Sequence, residues 1–188
     1  MDNDFNEAVQ NGDIDYTMAL LDSGIDPNIQ DNNGDTGLIL ASTSRRSDDI
    51  ARLLILYGAD PNIQNNYGYT ALICAVGTDN IEITKLLLES GADPNIQNNY
   101  GDTALIEASK EGNTEIAKLL LDNGVDPNIQ NNNGDTALIL ASNIDIIKLL
   151  LERGADPTIV NNEGLSYNDY QKIRKIQRRF REKRTLKR

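Results

Sequence analysis

Two of the residues that catalysis most often relies on, His and Cys, are absent or scarce in this chain. The 188 residues hold 29 Asp and Glu, seven Tyr and a single Cys, and they contain no His. Hydrolytic triads and zinc centres of the usual kinds draw on His or on several Cys. No Gly-x-x-x-x-Gly-Lys-Ser/Thr stretch offers a cradle for phosphates. The acids fall mostly on turns and solvated helix faces, where their plain effect is solubility. Asp31-Asn32-Asn33-Gly34-Asp35 begins like a calcium loop, with oxygen donors at alternate positions. Its glycine is misplaced, and Ser42 stands where such a loop closes with Glu, so it reads as a turn. Cys74 occupies the place held elsewhere by Leu40, Glu107 and Leu140, and reads as a small packing residue. The expectation is no catalytic residue, no metal and no cofactor.

One cysteine allows no intrachain disulfide, so a reducing compartment is expected: the cytoplasm, with the nucleus as the alternative. The start, Met1 to Glu7, is acidic where a secretory signal is basic and then apolar. Apolar runs such as Leu119-Leu120-Leu121 stop far short of the ~20 residues that a membrane-crossing helix needs, so a soluble protein is expected. The net charge of -11 conceals an asymmetry. Ten of the eighteen Lys and Arg lie in residues 172–188 against one acid, Glu182, so residues 171–188 carry +9 and the preceding 170 carry -20. An acidic body and a basic tail are two electrostatic objects.

What must position these groups is a repeat. Asp-Pro-Asn recurs at Asp26, Asp60, Asp93 and Asp126, with Asp-Pro-Thr at Asp156, in steps of 34, 33, 33 and 30 residues. Residues 98–130 show the unit most clearly. Thr103 caps a first helix over residues 104–111, and Gly112 ends it in the left-handed conformation. Thr114 or Asn113 opens a second helix carrying Ile116, Ala117, Leu119, Leu120 and Leu121; Asn123-Gly124 stops it and Pro127 bars its continuation. The Asn- and Gly-rich remainder suits an extended finger with a tight turn near Gly101.

A unit of this size has too little apolar surface to offset the entropy of ordering it, so units must stack and the terminal ones must be atypical. Residues 1–30 keep the helix pair without a preceding finger and read as an amino-terminal cap. Full units follow at 31–64, 65–97, 98–130 and 131–160, and a carboxy-terminal cap begins at 161. Tyr167, Tyr170, Ile173, Ile176 and Phe180 line one face of a capping helix, which continues as a basic helical tail over 171–188. The chain is thus expected to be an all-α repeat solenoid of helix pairs with short hairpin-like fingers, forming one domain over 1–170.

The residues resemble the ankyrin family. Gly101-Asp102-Thr103-Ala104-Leu105 is similar to its Gly-x-Thr-Pro-Leu, and Leu119 to Asn128 is similar to its Leu-Leu-x-x-Gly-Ala-Asp-x-Asn. The family's Thr-Pro-Leu-His appears as Thr36-Gly37-Leu38-Ile39 and its counterparts at Thr70, Thr103 and Thr136, with Ile in place of the histidine, so apolar packing is expected there. The fourth full unit is three residues short and needs a tighter turn or a shorter first helix. The phrase Asp-Pro-Asn-Ile-Gln-Asn-Asn looks like the ankyrin proteins of giant DNA viruses or of intracellular bacteria, which would make the partner a host protein.

The resemblance implies a non-catalytic scaffold that, as a monomer, meets a protein partner on its fingertips and the inner face of its first helices. That places Tyr67, Tyr69 and Tyr100 at adjacent finger turns as candidate contacts, because Tyr gives large contact area at low entropic cost. Asp35, Asp102 and Asp135, each just after a turn glycine, would add a negative field favouring a basic partner. Asn28, Asn62, Asn95 and Asn128 lie eight residues after a leucine, a spacing similar to that of ankyrin asparagines hydroxylated by oxygen-sensing dioxygenases, though Pro precedes each one. The alternative surface is the tail, where Lys172, Arg174, Lys175, Arg178, Arg179, Arg181, Lys183 and Arg184 could meet nucleic acid, anionic lipid, an import receptor or the acidic stack itself. Ile176-Gln177 with Arg181 also resembles half of a calmodulin-binding IQ motif, but Leu186 takes the place of its final basic residue.

Overall fold

The structure, a computed structural model, describes residues 2–44 and 47–172. Its helices come in antiparallel pairs. They are α1 (Asp2–Asn11) with α2 (Ile14–Asp22), α3 (Gly37–Ser42) with α4 (Asp48–Leu56), and α5 (Ala71–Gly77) with α6 (Ile81–Glu89). Then come α7 (Ala104–Glu111) with α8 (Thr114–Asp122), and α9 (Ala137–Leu140) with α10 (Ile144–Glu152). Residues 167–172 are helical as well. The odd-numbered helices pack on one another in chain order as an inner row, and the even-numbered ones follow as an outer row. The molecule is an all-α repeat solenoid.

The caps explain why helices begin where they do. Thr36, Thr70, Thr103 and Thr136 each accept a hydrogen bond at Oγ1 from the amide three residues on, at 3.3 to 3.4 Å. Asn80 and Asn143 do the same for α6 and α10 through Oδ1. Asn113 stands at the cap position of α8 but makes no side-chain cap bond. Gly112 terminates α7 at φ 85°, the left-handed conformation expected of it.

The short unit resolves in favour of a shorter first helix. α9 spans four residues where α7 spans eight, and the chain leaves the helix at Ala141 with ψ 124°. The released segment docks on its neighbour, the Ser142 amide donating to the Ser109 carbonyl at 3.1 Å and Asn143 Nδ2 to the Gly112 carbonyl at 3.0 Å.

The core runs along the stack, with Leu38, Leu54, Leu72, Leu87, Leu105, Leu120, Leu138 and Leu150 fully enclosed. In the leucine run, Leu120 is buried while Leu119 and Leu121 are half-buried. Ile39, Ile73 and Ile106 are buried in the place of the family's histidine; Ile139, on the shortened α9, is only half-buried. Phe5 and Val9 of α1 close one end of this core. The amino-terminal cap is less polar than its role suggests, since Ile14, Tyr16 and Met18 remain exposed on α2. At the other end Tyr167 packs against the core. Ile173, Ile176 and Phe180 of the expected capping face lie outside the described residues.

Polar ladders bind unit to unit. Each finger folds on itself, the amides of Asp31, Asn65, Asn98, Asn131 and Asn161 donating to the carbonyl four residues on at 2.9 to 3.0 Å. Gln30, Gln64, Gln97 and Gln130 each donate through Nε2 to the turn glycine carbonyl of their own finger and to a backbone carbonyl of the next. The four asparagines singled out for hydroxylation serve the same end. Asn28, Asn62, Asn95 and Asn128 accept at Oδ1 from the amides of Asp60, Asp93, Asp126 and Asp156 in the following unit, at 2.7 to 2.9 Å. With ~1 kcal/mol net for such a bond, the ladders add direction to a stack that burial holds together.

Candidate functional site

The fingers stand over the inner helices and leave a cleft of about 410 Å³ between the second, third and fourth units. Tyr69, Tyr100, Asp102 and Asp135 line it together with Glu107, Lys110, Asn131, Asn132, Asn133 and Leu140. Four of the six residues named from the sequence therefore meet at one place. Tyr100 is 63% exposed, whereas Tyr69 is half-buried and packs against the core. Tyr67 is 56% exposed on the neighbouring fingertip, outside the cleft lining. Its carbonyl and that of Tyr100 are held by the amides of Asn99 and Asn132 at 3.0 Å, so the tyrosines sit on a fixed backbone.

Asp102 is enclosed: the residue is 5% exposed, and its carboxylate accepts from Asn131 Nδ2 at 2.7 Å and from Lys110 Nζ at 3.1 Å. Asp35 and Asp135 are half-buried and accept in the same way from Asn65 Nδ2 at 2.7 Å and Asn161 Nδ2 at 2.8 Å. These acids act first as joints between neighbouring fingers. In the second unit Tyr69 holds the place of the aspartate, and the corresponding Asn98 Nδ2 is buried with no hydrogen-bond partner. An orphaned buried amide costs about 1 to 3 kcal/mol, so one joint in the series is left open.

Lys110 and Glu107 were not singled out by the sequence reading. Lys110 Nζ lies 3.3 Å from Glu107 Oε2 as well as against Asp102, so one ammonium serves two carboxylates. A signal was available in their i, i+3 spacing, at positions where the first helices of the other full units carry no charge. Burial pushes the Glu107 carboxyl above its ordinary range, and the Asp102 charge adds to this, more than the ammonium of Lys110 pulls it back. Burial works against the Lys110 ammonium, but its two carboxylates outweigh that and raise it. The Tyr69 phenol is also raised, by burial first and then by the Glu107 charge.

The remaining reactive groups are quiet. Burial, helped by the Asp35 charge, pushes the Cys74 thiol up to about 12, so it is a neutral packing group at physiological pH. Asp31 spends Oδ1 on the amides of Asn33 and Asp35 at 2.8 and 2.9 Å, which makes its loop a side-chain-closed turn. Among the described residues no group of three or more His, Cys, Asp or Glu is placed to hold a metal ion, and no helix is long and apolar enough to cross a membrane. Of the basic patch only Lys172 is described; it is exposed and reaches Asp169 at 2.9 Å. The Asp169 carboxyl is held down at about 2 by the Ser166 hydroxyl and by Lys172. Arg174, Lys175, Arg178, Arg179, Arg181, Lys183 and Arg184 lie outside the described residues.

Comparison with known proteins bears on the whole array. The family model described as ankyrin repeats (3 copies) matches residues 5–98 and 90–161. Ankyrin repeat domain-containing protein 46 of Rattus norvegicus and that of Mus musculus are each 50% identical over 48 residues, 26% of this chain and 21% of theirs. The chain thus spans about a fifth of the length of these curated relatives. The crystal structure of an ankyrin repeat domain from Acinetobacter baumannii AYE superposes with a TM-score of 0.84 at 30% identity, covering 94% of both chains. Ankyrin repeats are in general protein–protein interaction modules, a non-catalytic use of the fold. The match of the family model along nearly the whole stack, with a solved ankyrin domain of the same extent, places this chain in the ankyrin repeat family.

Proposed function

We propose that the chain is a non-catalytic module that holds a protein partner, as a monomer, against its fingertips and inner helices. The observation that carries this reading is Tyr67 and Tyr100, two large aromatic side chains more than half exposed on adjacent rigid turns, with Tyr69 and a cleft behind them. Exposed aromatics on fixed backbone lose little entropy when covered, which is what binding hot spots require. Asp35 and Asp135, half-buried on the same edge, supply the negative field, and Asp102 contributes by fixing Lys110 and Asn131. The single free cysteine fits work in a reducing cytoplasm or nucleus, including that of a host cell if the chain is viral or intracellular-bacterial.

The test is capture on the immobilised full chain, with bound proteins identified by mass spectrometry. Changing Tyr67, Tyr69 and Tyr100 together to Ala should leave the helical circular dichroism intact and abolish capture. Capture that survives the triple change overturns this placement. A second reading rests on the +9 charge of residues 171–188, through which nucleic acid, anionic lipid or an import receptor would bind. The same assay on a chain ending at residue 170 separates the two, since only the tail reading requires loss there together with steep salt dependence.

A further inference from the structure

The cleft beneath Tyr100 stands out from the rest of the inner surface in its charge and in its aromatic lining. Its charge is unbalanced, with Asp102, Glu107 and Asp135 facing Lys110 alone. Two of its walls are aromatic, in an array that repeats small polar residues at most finger positions. One of those aromatics, Tyr69, also stands in the column of Asp35, Asp102 and Asp135, and across from it Asn98 Nδ2 goes without an acceptor. An aspartate at position 69 would close that joint as it closes the other three. Departure from a locally consistent pattern at a stability cost is characteristic of places used for binding.

We propose that this cleft receives a basic side chain of the protein partner, arginine for preference, laid against Tyr69 and Tyr100 with its charge set against Glu107 and Asp135. The inference rests on the groove being the partner surface and adds the chemistry of its occupant. A guanidinium is planar and weakly hydrated; it stacks on an aromatic face and can still donate to carboxylates at its edge. The cleft offers both at once. A second positive charge also offsets one of the two carboxylates that Lys110 leaves over among Asp102, Glu107 and Asp135. Neutral or acidic side chains gain neither.

The probe is a capped peptide of three arginines separated by Gly-Ser, titrated at low ionic strength into the isotope-labelled full chain, with the citrulline version as control. Amide shifts should concentrate at Tyr100, Asp102, Glu107 and Asp135, and citrulline should bind several-fold more weakly. Two variants carry the decision. Tyr69→Asp rebuilds the joint to Asn98 and adds a negative charge, so a surface that attracts cations through its field alone would bind the peptide as well or better. The aromatic site predicts instead a higher Tm and an affinity about fivefold lower, the size of one exposed cation–π contact. Tyr100→Ala, on an exposed turn, should show a similar loss without a change in fold. Undiminished affinity in either variant, or equal binding of the citrulline peptide, overturns the proposal. A partner lost to the triple tyrosine change but indifferent to arginine would sink this inference and leave the broader reading standing.

Discussion

Between the first and second full units Asn65 reaches across to Asp35, and between the third and fourth Asn131 reaches Asp102 in the same way, each at 2.7 Å. Between the second and third, Asn98 extends the same nitrogen toward the place of Tyr69 and finds no acceptor. The asparagine and backbone bonds that build the three fingers are alike. Asn65, Asn98 and Asn131 each accept at Oδ1 from two amides of their own finger, and Asn66, Asn99 and Asn132 each donate to the preceding fingertip. The stack can therefore exchange one cross-finger bond for an aromatic wall without loosening the rest of the joint. A repeat array gives up local stability at one interface and keeps it at the others, because each unit answers only to its neighbours.

The largest expected effect tests that likeness. Gly68 and Gly101 turn adjacent fingers at φ 78°, and a Cβ on either would come within 2.5 to 2.7 Å of the next finger's Asn99 or Asn132. Strain and close approach together should cost about 3 kcal/mol or more in each case. Gly91→Ala, at φ 87° with nothing within 4 Å, should cost only about 1 kcal/mol. If urea unfolding shows Gly68→Ala much milder than Gly101→Ala, the open joint is loose throughout and the comparison fails.

A smaller effect concerns charge beneath the open joint. Because burial raises the Glu107 carboxyl in the folded chain, the contribution of its protonated form is present at low pH and lost as pH rises through the folded value. Glu107→Gln copies the protonated form. Its Tm relative to the parent should improve between pH 4 and pH 7; a relative Tm that falls with rising pH would mean that Lys110 more than compensates the burial.

Much of this was legible in the residues, for a physical reason. Thr103 and Gly112 act within one helix, and the 33-residue step fixes what must stack, so caps, turns and the buried Ile39, Ile73 and Ile106 follow from local pattern and burial. The burial of Asp102 is not legible in its own segment, because it depends on Asn131, 29 residues away, and on Lys110 on the next helix. A carboxylate after a turn glycine looks exposed until the neighbouring finger is laid beside it. Tyr69 was noticed as an aromatic but not as a substitution in the Asp35, Asp102 and Asp135 column, although alignment of the units displays it. What Asn98 loses by it is visible only in three dimensions.

The most direct measurement compares Asn98→Ala with Asn131→Ala by equilibrium urea unfolding. Both variants lose two bonds within their finger, but only Asn131→Ala also removes a part-buried bond to a carboxylate, worth about 2 kcal/mol. Asn131→Ala should be the less stable by about that amount; equal losses would show that the joint at Tyr69 is as closed as its neighbours.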